Sequence, residues 1–201
     1  MLLPVSGRQP NPPNKGMAQP HLRPGVLLDR DGTIIVDHGY VGSVDRVEFI
    51  EGAAGAIAAL NEAGLPIAVL TNQAGVARGF YGIDDVERVH THIADKLAEQ
   101  GAHVDLFLYC PYHPDGTVAP FSRHSEDRKP RPGMAIAAAQ VLNLDLPSSW
   151  MVGDRPEDMA FAETIGASAL WVGPGNYSQP GVRSFPSLVE ASFFILERVA
   201  A

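Results

Sequence analysis

The chain has 201 residues, and 15 Lys+Arg against 23 Asp+Glu give a net charge of −8, with 45% hydrophobic and 19% charged residues. That apolar content is enough for the core of one ordinary domain, and 20 Gly and 17 Pro without a period exclude collagen-like and wholly disordered classes. An acidic chain lacks the basic footprint that displaces counterions from nucleic acid, so no nucleic-acid partner is expected, although a local pocket can still be positive for a small anion.

A single cysteine forms no internal disulfide, which makes a reducing cytoplasm the expected location. No run approaches the roughly 18 apolar residues of a membrane span, so no membrane partner is expected. Residues 1–24 carry Pro at positions 4, 10, 12, 13, 20 and 24, which blocks helix and sheet, and they show no secretory signal pattern. They read as a flexible Pro-rich leader before a single domain over 25–201.

From Gly25 onward short apolar runs alternate with helical stretches, the pattern of a parallel α/β sheet. Strands are predicted at Val26–Leu28, Leu65–Leu70, Val104–Tyr109, Trp150–Val152 and Ala169–Val172. Helices are predicted at Ala53–Ala63, Ile83–Gln100, Gly133–Leu144, Pro156–Ile165 and Leu188–Val199, three of them closed by Gly64, Gly101 and Gly166. His90 and His92 do not share a helix face and are expected in solvent, and Gly173-Pro174-Gly175-Asn176 reads as a turn.

Open α/β sheets bind ligands beyond the C-terminal ends of their strands. Those ends read Asp29-Arg30-Asp31-Gly32-Thr33, Thr71-Asn72-Gln73, a loop from Cys110 to Arg128-Lys129-Pro130, and Gly153-Asp154-Arg155. Asp29 and Asp31, one residue apart, face one site if the chain leaves extended geometry at Gly32. Asp29 is then placed as a nucleophile on phosphorus and Asp31 as a general acid and base. Asp154 adds a third carboxylate, and three acids around a phosphate call for a cation. Mg²⁺ suits, because it takes a few oxygen ligands and bridges to phosphate. Thr71 can donate to a phosphoryl oxygen and Lys129 can neutralise charge. Singly, each has a plainer reading as a turn, a helix cap or a solvated pair. Their arrival together, in order, at four strand ends points to chemistry.

The set DRDGT, TN, Lys129 before Pro130 and GDRPED resembles the four motifs of the haloacid dehalogenase superfamily of phosphotransferases. Within it the chain resembles the D-glycero-D-manno-heptose-1,7-bisphosphate 7-phosphatase family, with histidinol-phosphate phosphatase domains next. The signatures are DHGYV at 37–41, TNQAGVARG at 71–79 and RKPRPGM at 128–134, and the likeness runs from Gly25 to Gly173. It implies a Rossmann-like fold, a central parallel sheet flanked by helices, with no large cap domain. It implies Asp29 as nucleophile, Asp31 as proton donor, and Thr71 and Lys129 as stabilisers of the phosphoryl group. Mg²⁺ would sit on Asp29, the Asp31 main chain and Asp154. Implied substrate contacts are Asp37, His38, Gly39, Tyr40, Asn72, Gln73, Ala74, Arg128 and Arg155, with Arg128 suited to a second phosphate and the 37–40 loop to sugar hydroxyls.

Two departures are Arg155, where the family usually has Lys, and Ile35, where it commonly has Asn. A third concerns a structural zinc that the family carries on a Cys-x-His pair and a Cys-x-Cys pair. Here Tyr112, Ser125 and Asp127 stand at three of those positions and only Cys110 remains, so zinc is expected to be absent. Cys110 is expected to be buried, His113 and His124 exposed, and the loop stiffened by Pro114, Pro120 and Phe121. The implied activity is hydrolysis of a small phosphosugar, first of all the 7-phosphate of D-glycero-D-manno-heptose 1,7-bisphosphate; with no cap and no obvious exposed apolar stripe, a monomer is expected. Histidinol phosphate or another small phosphate is the alternative substrate. A non-catalytic module is the alternative from another class: Asp31 speaks against a receiver-like domain that stores phosphate on an Asp, and the four intact motifs speak against a degenerate phosphosugar-binding module.

Overall fold

The computed structural model describes residues 21–175 and 177–200. Six parallel strands form one sheet: β1 (Val26–Leu28), β2 (Ile67–Asn72), β3 (Leu106–Cys110), β4 (Trp150–Gly153), β5 (Ser168–Val172) and β6 (Arg183–Phe185), in the order β3-β2-β1-β4-β5-β6. The helices are α1 (Ala53–Glu62), α2 (Ala74–Ala77), α3 (Ile83–Ala98), α4 (Gly133–Leu142), α5 (Pro156–Ile165) and α6 (Leu188–Val199). This is the Rossmann-like order in which the central strand's two neighbours diverge, opening a crevice at the strand ends. The five predicted strands and five predicted helices are present, and β6 and the single-turn α2 are additions.

Alternation along the strands divides the core into two layers. Val26, Leu28 and Val69 face a cluster with Ile57, Leu60, Ile93, Leu97 and Ile195 of α1, α3 and α6. Leu27, Ala68 and Leu70 face Met134, Ala138, Phe161 and Ile165 of α4 and α5. Several element ends shift by one or two residues from the predicted ones, and two of the shifts have a visible physical cause. Leu65 does not start β2, because its N–H closes α1 on Leu60 O at 3.2 Å with Gly64 at φ +75°. Asn143, at φ +56°, ends α4 two residues before the predicted stop and leaves Leu144 free to enter the core.

His90 corrects an expectation. It lies on the inward stripe of α3 with Val86, Val89, Ile93 and Leu97, and it is fully buried. Helical spacing requires this, since position 90 is four residues from Val86 and three from Ile93. The ring stacks on Phe107 with centroids 5.0 Å apart and meets Tyr109 edge-on at 5.6 Å.

Most of the expected leader lies outside the described residues, and so does Asn176 of the expected turn. Arg23, near the leader's end, is fixed: its N–H donates to Asn143 O at 3.1 Å, and Asp145 N–H donates to Arg23 O at 2.9 Å. The segment between β1 and α1 holds only a 3₁₀ turn, Val44–Arg46, and two isolated bridges. The segment between β3 and α4 holds no regular element, so no cap domain is inserted at either place. No described helix is long and apolar enough to cross a membrane.

Candidate active site

Asp29 follows β1, and its backbone N–H bonds Val152 O of β4 at 2.9 Å, which fixes it at the sheet's centre. Its Oδ1 accepts from Lys129 Nζ at 2.7 Å, and the same ammonium donates to Asp158 Oδ1 at 2.6 Å. All three side chains are buried. Burial disfavours the Lys129 ammonium, but Asp158 and Asp29 overcome it and hold the amine protonated above its ordinary range. Asn72 sets the lysine's backbone from β2, donating from Nδ2 to Lys129 O at 3.1 Å and accepting from Lys129 N–H at 3.0 Å.

Asp158 was missed in the sequence, although it lies inside GDRPED. Its signal was its place three residues after Arg155, the N-cap of α5, whose N–H donates to Asp158 Oδ2 at 3.1 Å. One carboxylate thus caps a helix and anchors Lys129. Gly153 makes the approach possible, since a Cβ there would lie 2.4 Å from Asp158.

Asp154 follows β4, and its Oδ1 is buried without a hydrogen-bond partner. Burial first, then the charges of Asp29 and Asp158, push its carboxyl up to about 7. Gly32, at φ +82°, lies against it; a Cβ on Gly32 would stand 2.0 Å from Asp154 Oδ2. Oxygens of Asp29, Asp154 and Asp158 come within 4.8 Å of one another. Both Asp158 oxygens are already engaged, so Asp154 and Asp29 carry the capacity for a cation. An orphaned, buried carboxylate oxygen beside a second carboxylate fits a hard divalent ion.

Asp31 is held from below. Arg30, with no exposed surface, donates from Nε and Nη2 to Asp31 Oδ2 at 3.2 and 2.9 Å, to Val41 O at 2.8 Å and to Gln73 Oε1 at 3.1 Å. Tyr81 Oη also donates to Gln73 Oε1, at 2.7 Å. Two donors on Oε1 fix the orientation of the amide, so Nε2 faces Asp31 Oδ2 and Thr71 Oγ1, each at 2.9 Å. Thr71, buried at the end of β2, therefore keeps its own hydroxyl hydrogen for another acceptor. Burial raises the Asp31 carboxyl above its ordinary range against the opposing Arg30 charge.

The 37–40 loop forms the outer wall. Asp37 pairs with Arg155 Nη2 and accepts Gly39 N–H at 2.8 Å, and these contacts hold its carboxyl low in spite of burial. Arg46 ties the loop by donating to the carbonyls of His38, Gly39 and Tyr40 at 2.7, 3.0 and 3.1 Å. His38 itself turns to Glu48, Nε2 to Oε2 at 2.8 Å, and does not line the cleft. The Tyr40 ring stands edge-on to Phe80 at 4.7 Å.

These parts enclose a cleft of about 240 Å³, small enough for a metabolite. Asp29, Asp31, Asp37, Gly39, Tyr40, Thr71, Asn72, Gln73, Ala74, Arg128, Lys129 and Arg155 all line it. Asp154 lies behind this lining, against Gly32. Arg78, Tyr81, His113 and Glu157 line it too and were not anticipated.

In the 110–128 loop, Cys110 is buried and its Sγ contacts Tyr112 O at 3.8 Å, whereas Ser125 Oγ accepts Asp127 N–H at 3.1 Å. Tyr112 packs on Phe121 at 5.9 Å and lies under the Arg123 guanidinium at 3.9 Å. His124 is exposed and His113 only partly so.

Residues 127–200 match the HAD-hydrolase-like family model. The crystal structure of D,D-heptose 1,7-bisphosphate phosphatase from B. bronchiseptica, complexed with magnesium and phosphate, superposes with a TM-score of 0.76 at 30% identity. That match covers 87% of this chain and 99% of the other. A six-stranded parallel sheet bringing Asp29, Asp31, Thr71, Lys129 and Asp154 to one crevice, with these likenesses, makes the chain a phosphatase of the haloacid dehalogenase superfamily.

The D-glycero-beta-D-manno-heptose-1,7-bisphosphate 7-phosphatase of Yersinia pestis is 44% identical over 149 residues, 73% of this chain and 79% of that protein. The phosphatase of the same name from Escherichia coli K12 is 42% identical over 149 residues, 73% and 78% of the two chains. The chain belongs to this family of heptose-bisphosphate 7-phosphatases.

Proposed function

We propose that the chain removes the 7-phosphate of D-glycero-D-manno-heptose 1,7-bisphosphate through an aspartyl-phosphate on Asp29. The observation that carries this reading is the Asp29–Lys129 pair at 2.7 Å, set beside Asp31 in a cleft that Arg128 also lines. Lys129 engages Oδ1 of Asp29 and leaves Oδ2 to attack. The new bond to phosphorus forms as the bond to the sugar oxygen breaks, and Asp31 gives that oxygen its proton. Asp31 then takes a proton from water, whose oxygen attacks phosphorus and releases Asp29 and inorganic phosphate. Thr71 donates to a phosphoryl oxygen, and Lys129 offsets its charge. Asn72 and Gln73 serve from beneath by fixing Lys129, Thr71 and Asp31.

Asp29, Asp154 and the Asp31 main chain would hold Mg²⁺, which when bound neutralises charge on the phosphoryl oxygens. Cys110, Tyr112, Ser125 and Asp127 offer one thiol and no imidazole, a poor set for zinc, so the loop is held by its own packing. Arg128 takes the non-reacting phosphate. The 37–40 loop, Ala74 and Arg155 bound the sugar. We place the enzyme in the cytoplasm as a monomer with one catalytic domain over 25–201; the lone free cysteine agrees with a reducing compartment.

The test is phosphate release with Mg²⁺ from both anomers of the heptose bisphosphate, fructose 1,6-bisphosphate, histidinol phosphate and an aryl phosphate, with Asp29→Asn as blank. Preference for one heptose anomer, lost on chelation, is expected. A preference for histidinol phosphate would replace the substrate assignment and leave the chemistry standing.

A further inference from the structure

Four cationic side chains line the cleft, and two of them are already neutralised. Lys129 is paired with Asp29 and Asp158, and Arg155 with Asp37. Among the described residues, Arg78 and Arg128 have no carboxylate partner. Arg128 donates to a protein carbonyl, Tyr112 O at 3.4 Å, whereas Arg78 has a buried Nε with no partner at all. A guanidinium placed in a cleft with an orphaned N–H is built for an acceptor from outside.

His113 stands with them. Its Nδ1 accepts the Asp115 backbone N–H at 3.1 Å, which puts the ring's proton on Nε2 as a donor. Burial, with Arg128 and Arg78 nearby, favours the neutral ring.

The three groups sit on one locked platform. Thr117 and Val118 both donate their N–H to Ala77 O, at 2.7 and 3.0 Å, and His113 N–H donates to Phe121 O at 3.2 Å. Gly116 lets the loop come this close, since a Cβ there would stand 2.8 Å from Ala77 O. The residue after α2 and the loop after β3 are therefore held as a unit, although 35 positions separate Arg78 from His113.

We infer that Arg78 and His113 join Arg128 in binding the second, non-reacting phosphate of a bisphosphorylated substrate, and so set the preference for bisphosphates. This rests on the function proposed above and adds two specificity-determining residues to it. Two guanidinium cations and one neutral N–H donor match a phosphate dianion in charge and donor number.

The experiment compares kcat/KM for the heptose bisphosphate with kcat/KM for an aryl phosphate in the wild type and in Arg78→Gln, His113→Phe and His113→Gln, each checked for native circular dichroism. Losing one charge-assisted contact lowers the bisphosphate-to-aryl ratio by about ten- to a hundredfold in Arg78→Gln, mostly through KM. His113→Phe lowers the ratio, and His113→Gln, which keeps an N–H donor, restores most of it. An unchanged ratio in Arg78→Gln, or an equal loss on both substrates, overturns the inference and leaves the phosphatase reading intact. A wild-type enzyme with no preference for any bisphosphate overturns both.

Discussion

Replacing Asp158 by Asn tests how the active-site lysine is held. Lys129 and Asp158 are each only 1% exposed, so solvent screening does little to weaken their pair. Breaking a buried pair by neutralising one partner costs about 3–5 kcal/mol. Asp29 still faces the ammonium at 2.7 Å, and Asn keeps one carbonyl acceptor, which places the expectation at the lower end, about 3 kcal/mol. For a chain of this size each kcal/mol shifts Tm by about 2–4 °C, so Asp158→Asn should melt about 6–12 °C lower. Activity should fall further than stability explains, because Lys129 then belongs to Asp29 alone and binds more tightly the carboxylate proposed as the nucleophile. Scanning calorimetry and kcat measured well below both melting points check the two effects separately. A Tm within about 2 °C of wild type, with kcat intact, would refute the assignment of Asp158 as the anchor of Lys129.

Gln73→Leu removes the amide that bridges Asp31 and Thr71 and strands the Arg30 and Tyr81 donors. It should lower kcat about a hundredfold with KM little changed, since misplaced catalytic groups cost about that much; steady-state kinetics decide, and a loss confined to KM would assign Gln73 to substrate binding instead. His90 is buried, and burial first, then the Arg30 charge, depresses its proton affinity well below the ordinary 6.5, so the unfolded chain binds the proton more readily than the folded one. Its contribution to stability is therefore intact above pH 6.5 and falls as pH drops below that value, by up to about 1.4 kcal/mol per pH unit. Urea melts at pH 7.5, 6.5 and 5.5 should show this slope reduced in His90→Phe, which keeps the stack on Phe107, and equal slopes would contradict it.

The parallel sheet was legible because Val26–Leu28 and Trp150–Val152 are short apolar runs, the first followed at once by Asp29 and the second by Gly153 and Asp154, and because Gly64, Gly101 and Gly166 mark helix ends by a requirement for positive φ. β6 was not legible, since Arg183-Ser184-Phe185 is an edge strand of three residues with no apolar run. His90 was misread by comparing it with His92, when its periodic partners are Val86 and Ile93. Arg30 stayed hidden for a different reason. A charged residue between two acids at a strand end reads as solvated, and only the fold shows Asp31, Val41 and Gln73 consuming its donors.

The same accounting explains how an acidic chain makes a site for a doubly anionic ligand. Arg30, Lys129 and Arg155 are each matched by a carboxylate, so they shape the cleft while adding little net charge to it. Among the described charged residues around the cleft, those without an ion-pair partner are Asp154, with its bare Oδ1 behind the lining, Glu157, and on the wall Arg78 and Arg128. The bare Asp154 oxygen favours a cation, and the pair of arginines favours an anion. A molecule carrying one phosphate to be cut and another to be held answers both demands, whereas a monophosphate leaves the wall's guanidinium groups without an acceptor. Selectivity for a bisphosphate then comes from charges left unpaired on purpose of position, with no cap domain to enclose the substrate.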